Sequence, residues 1–483
     1  MYTYEDLLQV TSDAAKTDFV KSVIVAHKAS PLYREAEIAR DYFRRRNTTI
    51  SQYQKILYTL SGEAVPDNFS ANYQFCNAFF HIFVTQEVNY LLGNGVTFEK
   101  DNTKDKLGGD MFDNDLVDLA ESALWGGVSF GFFNLDHIDG FSVLEFAPLI
   151  GEEDGALHAG VRFWQIDDTK PLRATLYEED GYTDYIWRKK TRNGKATIQG
   201  EILHPKRSYI NIVKQSVADG EEIYDGQNYP NFPIVPLYAN KQKQTELTGL
   251  RAKIDGYDLI QSGFANDLDD ASQIYWTLQN SGGMDDVDLA QFIERMKVVK
   301  AAAVNDHAEV QAHTIDVPFA ARQAALADIK DSLYRDAMAL DVDKLTAGNI
   351  TATAIEASYT NLDLKCDGFE TCVTKFIDAV LELIGVEDSP TYKRNQLTNK
   401  TEETQNILQA AQYMDNETIL RHLPFLSPDE IDDILDRMEE EEATRYKEVD
   451  NESESEDLLN GGQSKSMDGR ATSDNGEKNK ENL

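Results

Sequence analysis

Two long amphipathic segments, residues 245–271 and 319–340, constrain the fold of this chain more than any other feature. In the first, apolar side chains recur every three or four residues, at Leu247, Leu250, Ile254, Tyr257, Ile260, Phe264 and Leu268. In the second they recur at Leu326, Ile329, Leu333, Ala337 and Leu340. This spacing predicts two helices with one apolar face each. The first would be roughly 40 Å long, and each face needs a neighbouring surface to cover it.

The residues before these helices predict a mixture of helix and sheet. Residues 4–46 have helical periodicity, and residues 72–98 predict a buried helix that ends at Gly93 before a strand. From about 123 to 235 the chain alternates apolar and polar residues in short runs, such as "VRFWQI" and "ATIQGEILH". Asp180-Gly181 and Asn193-Gly194 are typical hairpin turns. This region therefore predicts an antiparallel sheet.

The two amphipathic helices are separated by a short mixed segment and followed by a polar loop. Residues 272–318 contain a Gly282-Gly283 break, a short helix near "DLAQFIERM" and the strand-like runs "MKVVKAAAV" and "VQAHTIDVP". The loop "LTAGNITATAIEAS", residues 345–358, leads into a third long helix from about 353 to 384. Shorter helices follow, with N-terminal capping signals such as Asn416 with Thr418 and Ser427 with Glu430. From about 449 the chain is almost free of apolar residues, which predicts disorder.

The charge balance limits which partners the chain can hold tightly. It has 84 acidic and 47 basic residues, a net charge of −37 over 483 residues. A protein that grips nucleic acid neutralises phosphates with Lys and Arg, so tight nucleic-acid binding is not expected. No run of about 18 apolar residues is present, and the N-terminus has acids where a signal peptide has bases, so we expect a soluble, unsecreted protein without membrane partners.

A search for catalytic and metal-binding motifs gives almost nothing. The sequence has no P-loop, no nucleophile elbow and no zinc-protease motif, and its three cysteines lack the spacing of a zinc site. We therefore expect no cofactor, no metal and no enzyme activity. One alternative remains, a Mg²⁺-dependent nuclease or hydrolase that uses Asp267 and Asp270, which lie three residues apart on one helix face.

The order of these parts resembles a known family. The stretches that carry the resemblance are "EVNYLLGNGVTF", "ALWGGVSFGFFNLD" with "FSVLEFAPLIGE", "PIVPLYANKQKQTELTGLRAKIDGYDLIQSGFANDLDD", "IDVPFAARQAALADIKDSLYRDAMAL" and "MDNETILRHLPFLSPDEIDDILDRMEEE". Together, over roughly residues 20–445, they resemble the portal proteins of tailed bacteriophages, in particular those of siphophages of Gram-positive hosts. Each stretch is degenerate alone, and their order is the specific signal.

The resemblance implies an α+β portal fold with a wing, a two-helix stem, a small α/β clip and a helical crown, which forms a ring oligomer. The expected boundaries are 1–240 for an N-terminal wing, 241–271 for the first stem helix, 272–318 for the clip, 319–340 for the second stem helix, 341–352 for a tunnel loop, 353–390 for a long wing helix, 391–447 for the crown and 448–483 for a disordered acidic tail.

The family function that follows is a ring, normally of twelve subunits, at one vertex of the capsid. Double-stranded DNA enters through it during packaging and leaves through it during ejection. The implied partners are the terminase, the major capsid and scaffold proteins, and the head-completion proteins that connect the tail. The implied location is the virion, after assembly in the host cytoplasm. An internal capsid scaffold or adaptor is the remaining alternative.

Two sets of residues are expected to face the DNA. The tunnel loop would present Lys344, Thr346, Gly348, Asn349 and Thr351 to the duplex without reading its sequence. The alternative for Lys344 is an exposed loop lysine without a DNA contact. Acids that lie off the apolar faces of the stem would line the channel and repel phosphates; they are Asp255, Asp258, Asp331 and Asp336.

Overall fold

A computed structural model describes two units of this chain, Met1–Gln396 and Leu397–Leu483. The described residues are 2–58, 61–68, 70–100, 102–192, 195–216, 222–271, 275–279, 287, 291, 309–313, 318–346, 352–396, 404, 407–423, 431, 434, 435, 437 and 438. Backbone alone is described for 190–192, 195–197, 211–216, 222–225, 270–271, 275–279, 309–313, 346, 352–353, 412, 416 and 422.

The helices of the first unit include one of 21 residues and one of 32 residues. In chain order they are α1 (Tyr4–Leu8), α2 (Asp13–Lys28), α3 (Pro31–Phe43), α4 (Thr48–Ser51), α5 (Phe79–Leu92), α6 (Thr103–Lys106), α7 (Phe112–Gly126), α8 (Arg251–Ala271), α9 (Phe319–Asp336), α10 (Val342–Thr346) and α11 (Ala352–Leu383).

The strands form small antiparallel sheets. In chain order they are β1 (Ile56–Tyr58), β2 (Ala64–Pro66), β3 (Val96–Phe98), β4 (Val128–Asn134), β5 (His137–Ser142), β6 (Phe146–Ile150), β7 (Leu157–Trp164), β8 (Leu172–Glu178), β9 (Gly181–Arg192), β10 (Lys195–Arg207), β11 (Ile210–Ser216), β12 (Glu222–Gln227), β13 (Ile234–Tyr238), β14 (Tyr275–Gln279), β15 (Glu309–His313) and β16 (Pro390–Tyr392).

The predicted antiparallel region is confirmed as sheets of five and three strands, with β11 and β12 paired separately. The larger has the order β10-β9-β8-β7-β6, and the smaller has the order β13-β4-β5. Asp180 and Gly181 form the β8–β9 turn as expected, and Gly181 has a φ of +134°. The turn at Asn193-Gly194 lies outside the described residues. The fold class is confirmed as a mixture of helix and sheet.

Two apolar cores hold the sheets and helices together. In one, α2 buries Val20, Val23 and Ile24 against the inner face of the five-stranded sheet. In the other, α3, α5, α7 and α11 surround the three-stranded sheet. Helix α5 buries nine of its 14 residues, so the predicted buried helix is confirmed. It begins at Phe79, because the residues before it take an extended course described below.

The first amphipathic helix begins later than predicted. Residues 245–250 form hydrogen-bonded turns, and α8 begins at Arg251. Gly249 causes the difference, because its φ of +82° is incompatible with a right-handed helix. The seam residues Leu247, Leu250 and Ile254 are nevertheless buried as expected.

The second amphipathic helix ends earlier than predicted, and the loop after it is partly helical. Helix α9 ends at Asp336, since Met338 has a φ of +53° and turns the chain away. The expected loop at 341–352 contains the one-turn helix α10. The third long helix is confirmed as α11, within one residue of the expected bounds.

The segment between α8 and α9 is described only in part. Strands β14 and β15 pair antiparallel, so the strand expected in "VQAHTIDVP" is confirmed at Glu309–His313. The run "MKVVKAAAV" and most of the helix expected near "DLAQFIERM" lie outside the described residues.

The second unit is helical where it is described. Helix α12 (Asn416–His422) follows a 3₁₀ turn at Ala411–Tyr413. Its N-cap is Asp415, whose side chain accepts the Thr418 N–H at 3.0 Å, so the capping residue lies one position before the expected Asn416. The expected cap at Ser427 and the acidic tail lie outside the described residues.

Candidate functional site: the stem helices and the loop after them

Helix α8 is attached to the body of the subunit by a row of polar side chains. Asp258, Ser262 and Asn266 lie four residues apart on one face, and all three are buried. An extended segment, residues 73–77, runs antiparallel to them and donates alternate backbone N–H groups. The bonds run from Asn77 N to Asp258 Oδ1 (3.0 Å), from Phe75 N to Ser262 Oγ (2.9 Å) and from Tyr73 N to Asn266 Oδ1 (2.7 Å).

The two repeats match in length, which explains the row. Two residues of extended chain advance about 6.6 Å, and four residues of α-helix advance about 6.0 Å. Alternate N–H groups of the segment therefore meet successive side chains of the helix. Because these N–H groups face buried side chains of α8, each needs an acceptor there.

The contacts of α8 contradict two of the predicted channel residues. Asp258 is fully buried and also accepts from Asn77 Nδ2 at 2.7 Å, so the expectation of an acid facing the channel is wrong at this position. Asp255 accepts from the Tyr42 hydroxyl and from Thr49 Oγ1 at 2.8 Å, and it too is directed into its own subunit. Burial raises the pKa of Asp258, while the amide donors of Asn47 and Asn77 oppose the increase.

Helices α8 and α9 pack as a pair through polar contacts at both ends. Near the body, Lys253 of α8 contacts Asp336 and donates to Ser332 Oγ at 2.6 Å. At the far end Asp267 pairs with Arg322 of α9. The apolar seam is buried at Ile254 and Leu333 near the body.

The far end of the pair is less well covered. Phe264 and Phe319 pack together there, with ring centroids 5.3 Å apart. Phe319 is still 55% exposed and Leu268 48% exposed. The seam that is closed near the body is therefore open at the tips of the two helices.

Crossed ion pairs hold α10 against α9. Lys344 Nζ lies 2.9 Å from Asp331 Oδ1, and Lys330 Nζ lies 2.6 Å from Asp343 Oδ2. All of these groups except Lys330 are more than half exposed. The Lys344 ammonium, as a hydrogen-bond donor, lowers the pKa of Asp331. Residues 328–344 contain five acids and three bases, so this surface is acidic overall.

Both ends of the loop between α9 and α11 are anchored on α5. Before the loop, Gln86 bonds to both backbone groups of Leu340, donating from Nε2 at 3.0 Å and accepting at Oε1 at 2.9 Å. After the loop, the Tyr90 hydroxyl donates to Asp363 of α11 at 2.5 Å. The Tyr90 ring stacks on Tyr359 with centroids 5.5 Å apart.

A buried charged cluster joins α5, α11 and the turns before α8. Lys365 Nζ lies 2.7 Å from Glu87 Oε2 and 3.3 Å from Glu246 Oε2. Burial raises the pKa of Glu87 to about 7, with Lys365 opposing and Glu246 reinforcing the increase. One lysine between two carboxylates leaves one negative charge uncompensated, which the protonation of Glu87 can remove.

The structure describes some of the remaining predicted site residues and not others. Asp331, Asp336 and Lys344 are at least 41% exposed on α9 and α10. Thr346 is the last residue of α10. The other expected loop residues, Gly348, Asn349 and Thr351, lie outside the described residues.

The sequence pattern did not identify Ser262 and Asn266 as hydrogen-bond acceptors, or Gln86 as the residue that binds the backbone of Leu340. Ser262 and Asn266 follow Asp258 at intervals of four residues, which places three polar side chains on one face of the helix. This pattern could have predicted a polar contact along that face.

Neither a metal site nor a membrane span is present in the part of the chain described. No group of three or more His, Cys, Asp or Glu residues is arranged to hold a metal. No described helix combines the length and the apolar character required to cross a bilayer. Asp267, one of the two acids of the hydrolase alternative, is occupied by Arg322.

Comparison with known proteins gives a specific result. The family described as "Phage portal protein, SPP1 Gp6-like" matches residues 39–448. The portal protein of Bacillus phage SPP1 is 24% identical over 484 residues, covering 90% of each chain. The portal protein of Clostridium phage phiCD119 is 28% identical over 252 residues, and this match covers 47% of the present chain and 56% of the phage protein.

A search of solved structures finds a chain of the neck of a native gene transfer agent particle. It covers 72% of this chain and 90% of its own length, with 11% identity and a TM-score of 0.40. This likeness adds nothing to the family match.

The chain is thus a structural component of a phage particle and not an enzyme. It belongs to the SPP1 Gp6-like family of phage portal proteins. The hydrolase and scaffold alternatives are therefore wrong, and the virion is the place where the protein acts.

Replacing Ser262 with Ala should destabilise the subunit by about 1–3 kcal/mol, because the Phe75 N–H then lacks its acceptor in a buried position. Denaturant unfolding followed by circular dichroism measures the change. The control is Ser358→Ala on α11, where an exposed hydroxyl bonds only to the Ala354 carbonyl of its own helix. Equal losses of stability in the two variants would show that the hydrogen bond to Ser262 does not stabilise the subunit.

Replacing Glu87 with Gln should change how stability depends on pH. The folded-state pKa of Glu87, about 7, lies above its unfolded value. The folding stability that protonated Glu87 contributes is therefore fully present below about pH 4.5 and is lost as the pH rises through 7. Glutamine resembles the protonated acid, so the variant should gain stability relative to the wild type between pH 5 and 8.

Chemical unfolding at several pH values measures this difference, and Glu246→Gln supplies the comparison. Removing Glu246 takes away a charge that raises the pKa of Glu87, so the loss of stability should move to lower pH. A constant difference between wild type and Glu87→Gln across this range would contradict the assignment.

Proposed function

We propose that this portal protein assembles into a closed ring in which the α8–α9 pairs surround a channel for double-stranded DNA. The observation that carries the proposal is the open seam at the far end of the stem. Phe319 and Leu268 are about half exposed in a single subunit, and covering this apolar surface with a neighbouring subunit is favourable. A contact repeated by rotation around one axis covers every copy equally and closes the assembly.

Twelve subunits are the number that the resemblance implies. The ring would occupy one vertex of the capsid, where DNA enters during packaging and leaves during ejection. The segment 272–318 would be the clip that contacts the terminase and later the head-completion proteins, while the outer regions contact the major capsid and scaffold proteins. Assembly would take place in the host cytoplasm.

The charge of the stem supports passage of DNA without retention. Asp331 and Asp336 are exposed on α9, and the net charge of the whole chain is −37. A surface of this sign repels phosphates and keeps the duplex from binding tightly.

Lys344 supports the same function in a modified form. Its ammonium already has a partner in Asp331, so it meets a phosphate as one half of an ion pair and not as a free cation. Exposed pairs of this kind contribute little binding energy. The tunnel loop, with Lys344, Thr346, Gly348, Asn349 and Thr351, would then touch the duplex lightly.

Negative-stain electron microscopy of the purified protein tests the ring. We expect rosettes with a central hole and a mass, by native mass spectrometry, equal to a whole number of subunits. Dispersed single subunits at high protein concentration would refute the proposal.

Replacing Asp331 with Lys should make the assembled protein retain DNA. The change converts an exposed acid to a base in every subunit and also frees Lys344 from its partner. We expect the affinity of rings for a short duplex to increase at least about tenfold at low salt and to fall steeply as salt is added. Gel-shift titration at several salt concentrations measures this.

The control for Asp331→Lys is Asp168→Lys, which makes the same charge change in the exposed loop between β7 and β8. It should alter DNA affinity far less, because it lies outside the stem. If both variants bind DNA equally, Asp331 does not face the channel.

A further inference from the structure

The β1–β2 hairpin projects an apolar surface that its own subunit leaves uncovered. All six residues of the two strands are exposed, and neither strand contains a charged residue. Ile56 is 57% exposed and Tyr58 76% exposed. A two-stranded hairpin alone is marginally stable in water, so this one needs an additional packing partner.

The same surface continues onto the extended segment that binds α8. Tyr73 and Phe75 stack with ring centroids 6.0 Å apart, and both are more than 40% exposed. Gln74 Nε2 donates to the Tyr53 carbonyl at 2.5 Å, which ties the segment to the chain that enters the hairpin. The hairpin therefore starts beside Ser262 and Asn266, at the level of the middle and far part of α8.

A complementary groove lies between α8 and α9. It has a volume of about 410 Å³ and is lined by Leu259, Ile260, Gly263, Ala321, Arg322 and Ala325. Arg322 is the one charged side chain in this lining, and it is neutralised by Asp267. The floor is open at Gly263, where an added Cβ would have only Arg322 Nη1 within 4 Å, at 3.8 Å.

The hairpin and α9 lie on different sides of α8. Asp258 binds the extended segment and Asp267 binds α9, and these residues are nine positions apart. At about 100° per residue, nine positions correspond to roughly half a turn. One subunit therefore has the order extended segment, α8, α9. The groove residues Leu259 and Gly263 directly follow Asp258 and Ser262, so they lie about 100° around α8 from the extended segment.

We propose that the β1–β2 hairpin of one subunit packs into the α8–α9 groove of the neighbouring copy. This inference rests on the ring assembly proposed above, because rotation about an axis along the stem keeps every feature at its own height. The groove and the base of the hairpin share one level of α8, so a neighbouring groove is presented at the level of the hairpin.

A second copy fits this surface better than another partner. The β1–β2 hairpin and the groove are two different surfaces on different faces of α8. A contact between two different surfaces is heterologous, and repeated by rotation it closes into a ring. The small residues Gly263, Ala321 and Ala325 leave room for the Ile56 and Tyr58 side chains. The strands bring no charge into the groove, and the charged group in its lining, Arg322, is already paired with Asp267.

The first test replaces Ile56 with Asp and uses Ile166→Asp as the matched control. Ile166 is 83% exposed in the loop between β7 and β8, away from the hairpin and the groove. Ile56→Asp should raise the concentration at which half the protein is assembled at least about tenfold. Ile166→Asp should leave it unchanged. Sedimentation velocity measures both, and circular dichroism checks that the variants are folded.

The second test links the two surfaces covalently. Tyr58→Cys and Ala325→Cys are placed in one chain in which the exposed Cys76 is replaced by Ser, and the assembled protein is treated with a bismaleimide. The double variant should give a ladder of dimers, trimers and larger species on a denaturing gel. An equal mixture of the two single variants should stop at dimers, since each chain then has one reactive partner.

The outcomes separate this inference from the proposed function. Rosettes of the wild type, with no ladder and with Ile56→Asp assembling like Ile166→Asp, would overturn the hairpin contact and leave the ring intact. Normal rings of Ile56→Asp that fail to enter capsids would also overturn it and would assign the hairpin to another virion protein. A wild type without rings would refute the proposed function itself.

Discussion

Three backbone-to-side-chain hydrogen bonds along one face of α8 fix the orientation of this helix. They join α8 to an extended segment that leads directly into α5, a helix with nine of its 14 residues buried. Helix α9 follows α8 through the contacts of Lys253 and Asp267, and α10 follows α9 through the crossed pairs of Lys330 and Lys344. The orientation of α9 and α10 therefore depends on how α8 is held.

The distribution of polar and apolar contacts along the α8–α9 pair fits the ring proposed above, in which neighbouring copies cover each other's exposed apolar surface. Near the body the seam is closed by Ile254 and Leu333, and α8 is bonded to its own chain. Toward the tips Leu268 and Phe319 stay exposed. A helix pair with this gradient has a well-defined base inside one subunit and tips that lack cover, which is where contacts between copies would contribute most.

The sequence predicted the parts of the fold that follow from apolar periodicity. The spacing of Leu250, Ile254 and Leu333 placed the stem helices, and alternation placed the sheet. Local backbone conformation was less accessible. The left-handed residue Gly249 lies before the start of α8 and Met338 lies after the end of α9, although the apolar pattern of each helix continues beyond these residues. Asp258 was misjudged for a related reason. A carboxylate off the apolar seam looks like a solvated group, and only the distant residues around Asn77 show that it is a buried acceptor.

The attachment of both loop ends to α5 also has a mechanical meaning. Gln86 holds Leu340 and Tyr90 holds Asp363, so a pull on the loop from either side reaches the same helix. Nine of the 14 residues of that helix are enclosed by apolar neighbours. A force applied to the loop would thus be transmitted to a helix that is packed over most of its surface, and not to the exposed tips of α8 and α9.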